Sequence, residues 1–226
     1  MPNINAASMG TYGSTWQAVG YSGVGPVASL LGTLQGRSAI VVGSAEGTFN
    51  ELEDALGKVP DAVIFGVNDT GMFLPRMDHW VSLHSDNLGA WKTVRWLHPR
   101  EREDVRLHSI EMRPYVDHVW QSLTPLFALS GYFAMQIAYL MGADPIVLCG
   151  CPGSSVPRFY ESKPRPNFGY GDGVSGTDDG VRKQVIDEME RLPAFKARVR
   201  SINGWSNQFF GGLSSWPHSR RSRSRK

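Results

Sequence analysis

His84 and Asp86 are the side chains of this sequence whose types and spacing best suit acid–base chemistry. They follow an apolar run at residues 80–83, which predicts a buried strand. A neutral imidazole at a strand end can act as a general base or hydrogen-bond a substrate. The alternative is a structural histidine whose hydrogen bonds are satisfied within the fold. The sequence leaves both roles open, with His84 and Asp86 as the candidate catalytic pair.

A glycine-bounded turn, from Gly43 to Gly47, is the first candidate for nucleotide contact. Backbone N–H groups of such a turn, followed by a helix N-terminus, can bind phosphate. The spacing is neither a Walker pattern nor a complete G-x-G-x-x-G, so a simple strand-to-helix turn is the alternative. Glu46 and Glu51 also bring negative charge to the same place. The further candidates for nucleotide binding are Ser44, Asn68, Asp69, Ser130, Gly131 and Gly150.

Four of these candidates have specific chemical roles. Asn68 follows an apolar run and is expected to hold a base or ribose, or else to cap a turn. Ser130 and Gly131 open a helix, where they would bind a sugar or phosphate oxygen, although serine at that place is commonly an N-cap. Asp69 suits a metal ion, but no second carboxylate stands at ligand spacing.

The two cysteines, Cys149 and Cys151, are too few for a disulfide framework or a zinc site. Cys149 ends an apolar run and is predicted to lie in the core, whereas Cys151 has no catalytic partner nearby in the sequence. Together with the absence of an N-terminal secretion signal and of a long apolar span, this indicates a cytoplasmic location.

Alternating strands and helices must position these residues. Short apolar runs predict strands buried on both faces at 39–42, 61–67, 80–83 and 145–149, with a late strand at 196–202. Between them, helices are predicted at 48–56, 88–97, 130–142 and 178–191, the first opened by a Thr48–Glu51 capping box. The fold class is therefore α/β, a Rossmann-like, doubly wound, mainly parallel sheet with a long lid loop after the fourth strand. Ligands bind beyond the carboxyl ends of strands in such sheets.

The 226 residues, 41% hydrophobic, suit one such domain. We predict an irregular N-terminal arm at 1–36, a nucleotide-binding domain at 37–212 and a basic disordered tail at 213–226. The Gly/Pro-rich lid at 151–177 carries Arg158, Tyr160, Lys163 and Arg165.

The net charge of +2 is a property of the tail, since residues 220–226 hold five of the 23 basic side chains. The remaining chain is mildly acidic, which does not indicate a nucleic-acid surface built into the fold. The tail itself is expected to attract nucleic acid or another polyanion, or else only to aid solubility.

Four segments together carry a family resemblance: AIVVGSAEGTFNELEDAL, DAVIFGVND, HWVSLHSD and SGYFAMQIAYLMGADPIVLCG. In this order they resemble the bacterial family 42 sialyltransferases and the related 6-hydroxymethylpterin pyrophosphokinase-like (MptE-like) domain, as in uncharacterised bacteriophage proteins. The resemblance spans about residues 40–150. It implies a cytidine nucleotide cupped by Gly43, Asn68, Ser130, Gly131 and Gly150.

This sequence also departs from the family. Ser44 and His84 stand where the family has asparagines, and Cys151-Pro152 replaces a family Ile-Asp. The family's catalytic histidine lies in or after the lid, and residues 151–217 contain none. His84 would then take over as the base, unless the chain performs another reaction or none.

The resemblance implies a nucleotide-sugar-dependent glycosyltransferase whose cofactor is a nucleotide-sugar, CMP-linked in the family. The lid cations would close over the donor, while His84, aided by Asp86, deprotonates an acceptor hydroxyl. One alternative is an Mg²⁺-dependent pyrophosphokinase or nucleotidyltransferase using Asp69 and Asp86. Another is a non-catalytic phage accessory protein, in the host cytoplasm, that binds nucleic acid through residues 220–226.

Overall fold

The computed structural model describes residues 27–97, 104–120, 129–154, 156–160 and 178–215. The described chain adopts an α/β, Rossmann-like fold in which one seven-stranded parallel sheet carries helices on both faces. Residues 216–226 of the predicted tail, most of the predicted arm, and the lid residues Lys163 and Arg165 lie outside the described residues. The first tail residues, Leu213–Ser215, form a 3-10 helix, and Leu213 is buried against the core. The predicted division into arm, domain and tail therefore stays a prediction.

The elements follow one another along the chain as strands and helices. The strands are β1 Ala39–Val42, β2 Val63–Val67, β3 His79–Val81, β4 Arg106–Ser109, β5 His118–Val119, β6 Ile146–Cys149 and β7 Val199–Ser201. The α-helices are α1 Thr48–Lys58, α2 Ser85–Leu97, α3 Ser130–Leu140, α4 Asp178–Arg191, α5 Pro193–Arg198 and α6 Gly204–Phe210. Short 3-10 helices lie at Ala28–Leu30, Asn68–Met72 and Leu213–Ser215. None of the helices described is long and apolar enough to cross a membrane.

The strand order is β5-β4-β3-β2-β1-β6-β7. The chain starts in the middle of the sheet at β1, builds outward to β5, and then returns to add β6 and β7 on the other side. The order therefore reverses between β1 and β6, and in an open parallel sheet the ligand crevice lies at such a switch point.

The apolar runs are buried on both faces of the sheet, as predicted. All residues of β1, β2 and β6 are buried, because helices cover both sides. One face packs on α3, α4, α5 and α6, and the other packs on α1 and α2. Every residue of α3 except Gly131 is buried, because this helix packs against β1, β2, β3 and β6 at the centre of the sheet.

The sequence-based count of strands was wrong on one side of the sheet. β4 and β5 lie in a stretch where no strand was predicted, so the lid follows the sixth strand rather than the fourth. The reason is that β4 buries His108 and Ser109 at 0% exposure, and an apolar run does not mark it. The late strand β7 is also shorter than predicted, because α5 occupies residues up to Arg198.

Candidate functional site

Gly43 and Gly150 bring the ends of β1 and β6 into backbone contact. The Gly43 N–H donates to Cys149 O at 2.8 Å, and the Ala45 N–H donates to Gly150 O at 3.2 Å. A Cβ on Gly43 would collide with Gly150 O, and a Cβ on Gly150 would lie 2.7 Å from Gly43 O. Gly150 also has a left-handed φ of +63°. Both positions therefore require glycine for close backbone packing at the switch point.

The start of α1 differs from the predicted capping box. The N-cap is Gly47, with φ 83° and no side-chain cap. The Thr48 hydroxyl donates to Ala45 O, while the Glu51 carboxylate accepts from the Gly150 N–H at 2.8 Å. Glu51 is buried, so a negative charge lies at the helix N-terminus where a phosphate was expected. Tertiary contact with β6 thus replaces local capping.

The turn between β1 and α1 uses several of its N–H groups within the protein. Besides those of Gly43 and Ala45, the Glu46 N–H donates to Pro157 O at 2.8 Å. The contact with Pro157 is the one that movement of the lid would release. Phosphate binding by Gly43, Ser44 and Gly47 stays a prediction.

The structure describes residues 151–154 and 156–160 of the predicted lid, and residues 156–160 are here called the lid segment. It crosses the β1–α1 turn through an antiparallel bridge between Ala45 and Arg158, and the Phe159 N–H donates to Ser44 O at 2.9 Å. The Arg158 guanidinium lies 2.5 Å from the Asp69 carboxylate, and the Tyr160 hydroxyl donates to the same oxygen. The lid segment is therefore docked on the strand ends.

Aromatic rings surround this docking point, and of these only Tyr160 was among the predicted site residues. Phe159 makes edge contacts with Phe49 at 5.0 Å and Phe73 at 5.2 Å between ring centroids, and Phe73 stacks with Tyr160. Phe49, Phe73 and Tyr160 are 39%, 41% and 44% exposed. The rings come from separate segments, so sequence spacing gave no signal of the cluster.

The ends of β2 and β3 carry a network of polar side chains. Asn68 has a left-handed φ of 50°, and its main-chain oxygen accepts from Trp80 Nε1 at 2.6 Å. The Ser82 hydroxyl donates to Asn68 Oδ1 at 2.7 Å and accepts from the His84 N–H at 2.9 Å. Ser82, which was not among the predicted site residues, thus links the side chain of Asn68 to the backbone of His84.

The N-terminus of α3 joins this network to β6. Ser130 is not the N-cap, which is Leu129; instead its hydroxyl accepts from the Leu83 N–H at 3.2 Å. A Cβ on Gly131 would lie 3.2 Å from Cys151 Sγ. The structure therefore brings the candidates at the ends of β1, β2, β3 and β6 together with the start of α3. Whether they bind a nucleotide stays a prediction.

Asp86 contacts Arg113, and its predicted partnership with His84 stays a prediction. His84 is exposed at the end of β3, but the Asp86 carboxylate lies 2.7 Å from the Arg113 guanidinium. This contact raises the pKa of Arg113. Arg113 stands in the irregular stretch after β4, and the sequence offered no signal that it would reach Asp86.

Cys149 and Cys151 are free thiols. Cys149 is fully buried at the end of β6, as predicted. Burial, aided by Glu51, raises the pKa of the Cys151 thiol to about 12. Cys151 is therefore a protonated thiol near neutral pH, which disfavours catalysis by a thiolate.

The carboxylates proposed for Mg²⁺ are held by arginines. Asp69 contacts Arg158, and Asp86 contacts Arg113. Among the residues that the structure describes, no group of three His, Cys, Asp or Glu side chains is arranged to hold a metal ion. An Mg²⁺ site that uses Asp69 and Asp86 stays a prediction.

The fold and site together define a Rossmann-like α/β domain with polar groups gathered at its strand ends. No protein-family model matches the chain, and no curated protein matches it. Among solved structures, it is similar to the MAf glycosyltransferase from Magnetospirillum magneticum AMB-1, at 14% identity and a TM-score of 0.46. The similarity covers 90% of this chain but 41% of that one, so the chain spans less than half of that protein's length. A likeness of this size says nothing about function.

Proposed function

We propose that this chain is a nucleotide-sugar-dependent glycosyltransferase whose donor lies across the carboxyl ends of β1, β2, β3 and β6. The observation that supports this most directly is the convergence of polar groups at one edge of the sheet. Ser82 joins Asn68 to the His84 backbone, Ser130 accepts from the neighbouring Leu83 N–H, and Arg158 reaches Asp69 from the lid. The proposal joins this geometry to the resemblance carried by residues 40–150.

Arg158 is the cation best placed to act on the donor. Its backbone bridges to Ala45 after β1, and its side chain reaches Asp69 after β2. A guanidinium between these two strand ends would bind the donor phosphate and stabilise the charge that develops as the nucleotide leaves. Lys163 and Arg165 would add to this positive charge from the rest of the lid.

His84 is the proposed base. Its imidazole would take the proton of an acceptor hydroxyl as that oxygen forms a bond to the anomeric carbon of the sugar. The bond between that carbon and the donor phosphate breaks, and its electron pair leaves with the nucleotide. Ser82 holds the His84 backbone in place. Asp86 has no part in this proposal, because Arg113 holds its carboxylate.

The first test is a thermal-shift screen with CMP, UDP, GDP and ATP, each with and without Mg²⁺. A nucleotide that binds the folded state raises the melting temperature, by an amount that grows with its concentration. The proposal expects one nucleotide to stabilise the chain without Mg²⁺. Stabilisation that depends on Mg²⁺ would instead favour the pyrophosphokinase alternative, and no stabilisation by any nucleotide would contradict both.

The second test separates binding from chemistry. We expect His84→Ala to slow release of nucleotide from the corresponding nucleotide-sugar by about 100-fold or more, the usual range for a lost general base. Binding of the free nucleotide should stay unchanged. His118→Ala, at the edge strand β5, is the matched control and should keep the wild-type rate. Equal rates for His84→Ala and wild type would remove His84 from the mechanism.

The tail alternative has its own test. A chain ending before Arg220 should bind nucleic acid more weakly and with a smaller salt dependence if residues 220–226 form the binding site. Unchanged affinity would remove the tail as a partner site, while the transferase proposal would stand.

A further inference from the structure

We infer that Asp69 accepts hydrogen bonds from the ribose hydroxyls of the bound nucleotide and makes the site select ribonucleotides over 2′-deoxyribonucleotides. The inference rests on the proposed nucleotide-dependent function, and it adds a substrate class and the residue that reads it.

The Asp69 carboxylate has one engaged and one unengaged oxygen. The residue is 8% exposed, and its Oδ2 accepts from both Arg158 and Tyr160. Its Oδ1 is buried and forms no hydrogen bond within the part of the chain that the structure describes. A buried carboxylate oxygen without a donor is unfavourable, so a hydrogen bond from a bound ligand would stabilise it.

The missing donor should be uncharged. Arg158 already compensates the charge of Asp69 at 2.5 Å. A second cation would add repulsion from Arg158, whereas a hydroxyl supplies a hydrogen without a charge. The hydroxyls of a ribose offer two such donors to the two oxygens of one carboxylate. An acidic side chain in a doubly wound sheet can take this role.

Hydrogen bonds to the preceding residue hold the backbone at Asp69 in place. Asp69 follows β2 in the 3-10 helix Asn68–Met72, directly after Asn68. Trp80 Nε1 donates to the main-chain oxygen of Asn68, and the Ser82 hydroxyl donates to its side chain. Because Arg158 bridges Asp69 and Ala45, the carboxylate faces the turn after β1, where the donor phosphate is proposed to lie. The position fits the ribose of a nucleotide whose phosphate is near that turn.

The surroundings suit a nucleoside. Exposed faces of Phe49, Phe73 and Tyr160 lie around the lid segment that covers Asp69. Aromatic faces stack nucleobases with little dependence on the base. A carboxylate that accepts hydrogen bonds from hydroxyl groups, next to such rings, fits a ribose joined to a planar base.

The lid segment covers the groups that the ribose would use. Tyr160 donates to Asp69 Oδ2, so it competes for the carboxylate and must be displaced before a second ribose hydroxyl can bind there. Removing the Tyr160 hydroxyl alone should therefore leave ribose selection intact and make nucleotide binding no weaker.

The experiment is isothermal titration calorimetry with CMP, UMP, AMP and GMP, each compared with its 2′-deoxy counterpart. The proteins are the wild type, Asp69→Asn, Tyr160→Phe and Asp61→Asn, the last removing an exposed carboxylate just before β2. For the nucleotide that binds, we expect wild type to prefer the ribo form by about 10-fold or more, as a hydrogen bond to a charged group implies. Asp69→Asn should lose the preference, whereas Tyr160→Phe and Asp61→Asn should keep it. If Asp69→Asn does not fold, Asp69→Glu displaces the carboxylate and serves the same comparison.

Equal affinities of the ribo and deoxy forms for wild type would overturn the inference and leave the proposed function in place. The same holds if the preference survives in Asp69→Asn, because another group would then recognise the 2′-hydroxyl. Failure of every nucleotide to bind would overturn the proposed function together with the inference.

Discussion

The two flanks of β1 end in different ways. On the β6 side, Gly43 and Gly150 place backbone against backbone, and the Glu51 carboxylate accepts the Gly150 N–H. On the β2–β5 side, here called the polar flank, polar side chains lie in or just after the strands and contact one another, as Asn68 and Ser82 do. The β1–β6 side, here called the closed flank, is filled by glycine backbone packing, whereas the polar flank has side chains that a ligand could contact.

In the proposed site, the closed flank therefore holds the strands together, and the polar flank is where a ligand would be recognised. Rossmann-like sheets commonly bind phosphate at the first strand-to-helix turn, but here the lid segment contacts that turn and the Glu51 carboxylate lies beside it, bound to the Gly150 N–H. The groups that could still form hydrogen bonds with a ligand lie on the polar flank, where Asp69 Oδ1 has no donor among the described residues and His84 is exposed. Contacts that discriminate between ligands are therefore expected from β2, β3 and the lid.

Gly150→Ala should give the largest effect, because it breaks the closed flank. The new Cβ would overlap Thr48 Oγ1 and lie 2.7 Å from Gly43 O, at a φ of +63°. We expect the free energy of unfolding to fall by about 4 kcal/mol or more, from overpacking against backbone and left-handed strain. Urea denaturation measures it.

Gly57→Ala is the matched control. Gly57 lies near the end of α1, and a Cβ there would meet nothing within 4 Å. Alanine should raise the free energy of unfolding by up to about 1 kcal/mol, since glycine is the poorer helix former. Similar losses for the two variants would show that the close approach at Gly150 is not special.

Two buried histidines of the polar flank should make the stability of the protein depend on pH. Trp120 Nε1 donates to His108 Nδ1 at 3.1 Å, which leaves the His108 proton on Nε2, 2.8 Å from His79 Nδ1. Burial lowers the pKa of His79 from 6.5 to about 4, opposed by Asp78 and aided by Arg106. Burial, with His79 next, also lowers the pKa of His108 well below 6.5. Both histidines are therefore neutral in the folded protein.

These pKa shifts predict acid destabilisation with a definite sign. Below pH 6.5 the unfolded chain binds protons that the folded histidines do not, so the free energy of unfolding falls as pH decreases. His79 alone should contribute a loss of about 3 kcal/mol by pH 4, at about 1.4 kcal/mol per unit of pKa shift. Urea titrations between pH 7 and 4 measure the slope.

His108→Gln tests the origin of that slope. Glutamine can accept from Trp120 and donate to His79 but does not titrate, so the dependence on pH should become shallower. A slope equal to that of the wild type would mean that other groups cause the acid sensitivity.

Glu51→Ala should have a smaller effect on the closed flank. It leaves the buried Gly150 N–H without its acceptor, which costs about 2 kcal/mol of stability. Glu53→Ala, on the exposed side of the same helix, is the control and should change stability little. If Glu51→Ala equals Glu53→Ala in denaturation, Glu51 does not support the switch point.

The two flanks also differ in how well they could be predicted from sequence. β1, β2 and β6 are apolar runs, so they were predicted within two residues of their observed bounds. β4 and β5 were not predicted, because His108 and His118 pair across them where an apolar run would be expected. Burial of hydrogen-bonded polar side chains gives no periodic signal in a sequence.

The site was predictable where it depends on topology. Gly43, Asn68, Ser130 and Gly150 gather because parallel strands end at one edge of the sheet, which the alternation of strands and helices implies. Pairings between side chains were not predictable. The contacts of Arg158 with Asp69 and of Arg113 with Asp86 depend on loop conformations, and local spacing carries no information about them.

Ser82→Ala should have the smallest effect, and it sharpens the description of the polar flank as a connected network. The hydroxyl is buried and joins Asn68 Oδ1 to the His84 N–H, so its loss should lower the free energy of unfolding by about 1 kcal/mol. Ser214→Ala, an exposed serine, should cause no measurable change. Because Ser82 holds Asn68 before Asp69, its removal should also weaken binding of the nucleotide found in the thermal-shift screen. Unchanged binding with reduced stability would mean that the network supports the fold without positioning the ligand.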